Sequence, residues 1–197
     1  MKVRLVLLLF SLSLLWGCSK KTESESTKSF AFSGEQIDSV RRENLKAKVD
    51  NNIILGFRFG MSKQDYDYNF SRLVANKTLF RYSKADYALE IKSDSLPGSV
   101  DALFIPLFDQ NKLVALKLLA HGTTSATPAG SLILSKYLTK HFGQEYMSTR
   151  SVSDVWIKGG VEVEVRRQKV QADPNLSPLV YDVVMFRPTQ LALLSHL

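Results

Sequence analysis

Apolar and polar positions alternate along this chain with two distinct periods, and the points where the period changes divide it into elements. In "SGEQIDSVRRENL", from Ser33, Ile37, Val40, Asn44 and Leu45 share one side, and Ser33 with Gln36 forms a capping box, so the stretch predicts a short helix. "IILGFRFG", from Ile53, is a short apolar run that predicts a strand. "SKQDYDYNFSRLVAN" opens on a second capping box, Ser62 with Asp65, and places Tyr66, Phe70, Leu73 and Val74 at i, i+4, i+7 and i+8 of one helical face.

Strand-like runs follow: "TLFRY", "DYALEIK" with Tyr87, Leu89 and Ile91 alternating, and "VDALFIPLF" turning at "DQN" into "KLVALKLLA". At Thr127 the helical period returns. Thr127 caps, Pro128 suits the first helical position, and Leu134, Tyr137, Leu138 and Phe142 cluster before Gly143 ends the helix. "DVWIK", a Gly-Gly turn and "VEVEVRR" then predict a hairpin with Val161, Val163 and Val165 inward and Glu162, Glu164 and Arg166 outward. "LVYDVVMF" closes the series.

Helix and then antiparallel strands, read twice, predicts an α+β fold of two tandem helix-plus-antiparallel-strand units, 33–122 and 123–197, with helices on one face of the sheet. "FRFGMSKQDYDYNF" and "HFGQEY...DVWIKGGVEVEV" resemble passages of the beta-lactamase-inhibitor-protein-like folds and of the small outer-membrane-assembly lipoproteins of the BamE/SmpA group. The resemblance rests on element order with a few glycines and aromatics, spans about Ile53 to Pro188, and implies tandem helix-plus-hairpin units.

The first seventeen residues follow neither period. Lys2 and Arg4 precede an uncharged run from Leu5 to Trp16, then Gly17. Basic start, apolar core and small residue are the parts of a secretory signal peptide, here 1–17. As a helix the core would reach roughly 18 Å, short of the ~30 Å hydrocarbon layer a membrane span must cross.

Leu15, Gly17 and Cys18 then resemble the lipobox of bacterial lipoprotein precursors, although Trp16 is bulkier than the residue usual at its position. The resemblance implies cleavage between Gly17 and Cys18 and a diacylglycerol thioether on Cys18. It further implies an acylated amino group and, from Ser19 after the cysteine, sorting to the outer membrane. Two or more acyl chains hold a protein firmly where one holds only marginally, since each buried methylene contributes ~0.8 kcal/mol. "SKKTESESTKS", Ser19–Ser29, has no apolar residue to bury, so 18–32 reads as a lipidated, disordered tether.

Charge and cysteine count narrow the function. The 197 residues carry 26 basic and 19 acidic side chains; without Lys2 and Arg4, 24 against 19 leave +5. An exported chain with that balance is suited to an envelope protein, an anionic membrane or an anionic glycan rather than to nucleic acid. Cys18 is the only cysteine, so once it is lipidated the domain has no thiol for a disulfide, a nucleophile or a metal.

The histidines, His121, His141 and His196, have no metal-ligand spacing, and "HGTTSATPAG" lacks the Gly-x-Ser-x-Gly elbow of hydrolases. Asp65 and Asp67, two apart on a helix, do not face each other. No catalytic residue, cofactor or metal site is therefore predicted. "DSV" at Asp38 and "DSL" at Asp94 match a short glycosylation pattern of some envelope proteins, and Tyr68 lies off the apolar stripe of its helix.

The expectation is a non-catalytic binding or adaptor module, lipid-anchored in the cell envelope. The alternatives are a small-ligand or glycan receptor, an inhibitor of an envelope hydrolase, or an enzyme built around His121. Cys18→Ala is expected to abolish incorporation of radiolabelled fatty acid and to move the protein out of the membrane fraction; labelling that survives the substitution removes the anchor.

Overall fold

The computed structural model describes residues 31–46, 49–121, 128–149, 153–170 and 179–194. Gly17, Cys18, His196 and the "HGTTSATPAG" loop between 122 and 127 lie outside them. The described residues build one nine-stranded sheet and four helices. In chain order these are β1 (Ala31–Phe32), α1 (Gly34–Lys46), α2 (Lys63–Ala75), β2 (Leu79–Arg81), β3 (Tyr87–Ser93), β4 (Leu96–Asp109) and β5 (Lys112–His121). There follow α3 (Pro128–Phe142), β6 (Glu145–Ser148), β7 (Ser153–Lys158), β8 (Val161–Val170), β9 (Leu179–Pro188) and α4 (Thr189–Leu194).

The strand order is β1-β6-β7-β8-β9-β5-β4-β3-β2. Only the β1–β6 pair is parallel; every other neighbour is antiparallel, so the sheet is mixed. This overturns the expectation of two tandem helix-plus-strand units: the fold is one sheet-dominated body. β5 and β9 pair over Leu116–Ala120 and Asp182–Phe186. Leu116, Leu118, Val184 and Phe186 at that joint have no exposed surface, which leaves no boundary between units.

The helices also lie on both faces, not one. Successive strand residues point to opposite sides, and β7 shows the split: Trp156 packs in the main core with Leu134 and Leu138 of α3, while Val155 and Ile157 pack with Ile37 of α1. The sheet is moreover curled. Strands ~4.8 Å apart would place β4 and β7 about 19 Å apart in a flat sheet, wider than a helix of ~10–12 Å. Yet α3 touches β3 and β4 on one flank and β7 on the other. The sheet therefore wraps α3 on a concave face and carries α1 on the convex one.

On the concave side α2 also packs, through aromatic contacts with the sheet and with the turn that precedes it. Tyr66 stacks on Phe57 at 4.7 Å between ring centroids and meets Phe108 edge-on at 5.4 Å, and Phe70 meets Tyr87 at 5.6 Å. The stretch read as a strand from Ile53 is instead a tight turn. Ile53 N–H donates to the Phe57 carbonyl at 2.8 Å, and Leu55 and Gly56 take the left-handed conformation at φ 52° and 82°. Its apolar residues are buried all the same, which is why the run looked like a strand: Ile53, Ile54, Phe57 and Phe59 plug the concave core.

The capping boxes form as expected. Ser33 and Gln36 exchange hydrogen bonds ahead of α1, and Ser62 caps α2 by accepting from Asp65 N–H at 3.1 Å. β1 takes up Ala31 and Phe32, two residues assigned to the tether, because Phe32 packs edge-on against Tyr146 at 5.2 Å.

Candidate binding surface

Glu162 and Glu164 of β8 lie on the convex face, beside Ile157 and Val155 in register. Alternation with three inward valines read them as solvent-facing, but α1 covers them: Glu162 has no exposed surface and Glu164 is 5% exposed. The helix reaches Glu162 through Arg41, itself 4% exposed, whose Nε and Nη2 donate to Glu162 Oε2 and Oε1 at 2.6 and 2.8 Å. Arg41 Nη1 also donates to Asp38 at 2.5 Å. Arg187 of β9 adds a donor to Glu162 at 2.7 Å, and Ser153 and Arg166 donate to Glu164, both at 2.8 Å.

Two periods are thus correct and the solvent assignment is not, because a guanidinium fork makes buried carboxylates tolerable where apolar contact would not. Burial works against charge on Arg41, but bonding to Glu162 and Asp38 outweighs it and raises the pKa. Burial likewise opposes ionisation of Glu164, and Ser153, Arg166 and Arg187 overcome it, holding its pKa below the usual carboxylate value. With every carboxylate engaged, the cluster is a clamp that docks α1, with no acid or base to spare. Asp38 of the "DSV" motif belongs to this clamp, and Ser39 is exposed on the helix.

α4 packs beside α1 against β8 and β9, and no further helix among the described residues covers the rest of the convex face. Register aligns Phe80, Ala88, Leu103, Leu119 and Val183 in one row across β2, β3, β4, β5 and β9, with Ala88 and Val183 buried between and beside their larger neighbours. Ile105, Lys117 and Met185 form a second row beside it. Phe80 is 37% exposed and Leu107, further along β4, 43%. Leu103, Ile105, Leu119 and Met185 are partly exposed. Lys117 sits among them, also half-buried, and its ammonium makes no ion pair or hydrogen bond among the described residues.

The concave side holds a cavity of about 270 Å³ between α3 and β7–β9, lined by Ser131, Ser135, Asp154, Trp156, Arg167 and Asp182 among others. Asp182, 3% exposed, accepts from Ser131 Oγ at 2.9 Å and pairs with Arg167 at 3.2 Å. Ser135 donates to Glu145 at 2.5 Å, and Trp156 Nε1 is occupied by Thr139 at 3.0 Å. Burial, together with the charges of Glu145 and Asp182, pushes the Asp154 carboxyl above its ordinary value.

The other residues singled out in the sequence are dispersed. His121 ends β5 opposite Asp101. His141 ends α3, where burial and then Lys140 and Lys158 lower its pKa. Asp65 belongs to the α2 cap, Asp67 pairs with Lys63 at 2.6 Å, and Tyr68 projects at 76% exposure. Asp94 and Ser95 are exposed in the β3–β4 turn. Among the described residues no His, Cys, Asp or Glu group is arranged to hold a metal ion, and no helix is long and apolar enough to cross a membrane.

The open rows on the convex face were missed because both faces of β4 and β5 are apolar, so "DALFIPLF" and "KLVALKLLA" carry no alternation to mark one as outward. Lys117 alone breaks the run. No protein-family model matches this chain, and neither a curated protein nor a solved structure matches it.

Arg41→Ala leaves Glu162 buried with Arg187 as its remaining partner, and is expected to cost about 3 kcal/mol by chemical denaturation; a loss within error of zero removes the clamp. Asp154 contributes stability in full below the ordinary carboxyl value of 3.8 and loses it as pH rises through its raised folded value. Asp154→Asn should therefore raise Tm at pH 7, with the gain shrinking as the pH falls, and a pH-independent gain contradicts the assignment.

Proposed function

We propose that this chain is a lipid-anchored cell-envelope protein, cleaved between Gly17 and Cys18, acylated on Cys18 and sorted to the outer membrane, that works without catalysis by binding another envelope protein. The lipobox-like Leu15–Cys18 stretch supports the anchor, and the polar residues after it support a tether. The observation that carries the binding role is the uncovered convex half-face. Leu103, Ile105, Leu119 and Met185 form a contiguous apolar surface where a soluble sheet face ordinarily alternates to polar.

Its structural fit is to an adaptor rather than to a hydrolase, because the carboxylates most deeply buried, Glu162, Glu164 and Asp182, are each neutralised by arginine or hydroxyl partners. A second reading, a receptor for a small polar ligand, is favoured by the cavity at Asp154, whose carboxyl is raised and faces Ser131, Ser135 and Arg167.

The two readings separate in the cell. Crosslinking of the tagged full chain is expected to recover one envelope protein near stoichiometric yield, with Cys18→Ala as the control for location. Leu119→Asp should abolish that recovery while Tyr68→Asp, on the exposed side of α2, preserves it. Recovery unaffected by Leu119→Asp moves binding off the convex face, and loss on Asp154→Asn alone favours the receptor.

A further inference from the structure

The convex face has already accepted one helix. α1, of 13 residues, covers β7 and β8 by setting Ile37 on Val155 and Ile157 and by meeting the sheet's buried carboxylates with Arg41. The uncovered half presents the same combination with the sign reversed: two apolar rows, and within them a single cation, Lys117, without a partner among the described residues.

Three properties of this half-face select what fits it. From Phe80 on β2 to Met185 on β9 the exposed residues of the two rows cross five strands, or about 19 Å at ~4.8 Å per spacing. At 1.5 Å per residue that is a helix of about 13 residues. The two rows are separated by two residues along the strands, about 7 Å, which suits the apolar stripe of one helix and not a broad surface. A footprint of about 19 by 10 Å fits a single helix but is far below the ~800 Å² per partner of a stable protein–protein interface, so the partner that carries the helix must also touch the protein elsewhere.

Charge decides between apolar occupants. Covering Lys117 with an acyl chain or a wholly apolar segment buries an unpaired ammonium, which is strongly unfavourable, whereas a carboxylate on the incoming surface offsets that cost.

We propose that the open part of the convex face docks an acidic amphipathic helix of a partner protein, which lays its apolar stripe across Phe80, Leu103, Leu119 and Met185 and pairs an Asp or Glu with Lys117. The inference rests on the binding-module reading above and specifies its partner. It sets a partner helix on the face that carries α1 and α4, with the sheet supplying a carboxylate to the ion pair at α1 and an ammonium to the one with the partner. Phe80, the most exposed residue along that line, then marks one end of the docked helix.

The test places the photo-crosslinking residue p-benzoylphenylalanine at Leu103 or Leu119 of the full-length chain in the cells that make it, and maps the crosslinked peptides by mass spectrometry. Both positions should mark one segment of one partner, at residues three or four apart, with Asp or Glu between or beside them. Lys117→Glu should lower the yield about tenfold or more, Lys117→Arg should preserve it, and exchanging the partner's acid for lysine should restore the Lys117→Glu variant.

An unchanged Tm for Lys117→Glu shows that the loss is not one of folding. Crosslinks to a second copy, to lipid, to this chain's own residues, or to a partner segment marked at every second residue overturn the helix. So does a yield indifferent to Lys117→Glu. If Leu119→Asp abolishes partner recovery while the helical spacing is missing, the inference fails and the binding module stands; no crosslink and no recovery reject both.

Discussion

The pairing of β5 with β9 is the constraint on which the rest of the molecule depends. Through five residue pairs it joins strands far apart in sequence into one sheet, and its concave side chains, Leu116, Leu118, Val184 and Phe186, are wholly removed from water. Because the joint lies in the middle of the strand order, the two flanks can curl toward each other and grip α3. A nine-stranded sheet left flat would expose both apolar faces; curling lets one helix serve strands that are several spacings apart. Ile133, Leu134 and Leu138 of α3 are accordingly among the most deeply buried side chains.

Curling makes the two faces chemically unlike. The concave face closes on itself with aromatic and aliphatic side chains, and its few polar groups are satisfied in pairs, as with Ser131 and Asp182. The convex face has no such enclosure: away from α1 it mixes buried residues such as Ala88 and Val183 with partly exposed ones such as Leu103 and Leu119. Under α1 the sheet adds charge to the apolar contact of Ile37 with Val155 and Ile157, since the Arg41 fork needs both oxygens of Glu162 and so sets the position and rotation of α1 more narrowly than apolar packing alone would. The same reliance on directional bonds at α1 and on undirected burial at α3 divides the protein into a part placed by geometry and a part placed by volume.

Much of the local structure was legible in the chain. Ser33–Gln36 and Ser62–Asp65 announced the starts of α1 and α2, the Gly-Gly pair announced the β7–β8 turn, and the spacing of Leu134, Leu138 and Phe142 announced the buried side of α3. What periodicity could not supply was which face each helix would choose, because Ile37 and Val40 look no different on a convex or a concave surface. Nor could it distinguish the Ile53–Phe59 turn from a strand: burial of every apolar residue there comes from left-handed backbone at Leu55 and Gly56. Glu162 and Glu164 were misplaced for a related reason, as their partner Arg41 is 121 residues away from Glu162 in sequence. The candidate surface was legible only as an interruption, Lys117 within an apolar run.

The short first strand has a mechanical meaning. β1 is held to β6 by two residue pairs, by the edge-on contact of Phe32 with Tyr146, and by the Thr149 amide and hydroxyl on the Phe32 carbonyl at 3.1 Å each. A pull applied to the chain ahead of Ala31 would reach the sheet through this point. Under tension these few bonds yield before the long β4–β5 and β8–β9 ladders feel any load, so the strand acts as a fuse: it lengthens the chain's reach by peeling from β6, and leaves the core beneath it intact.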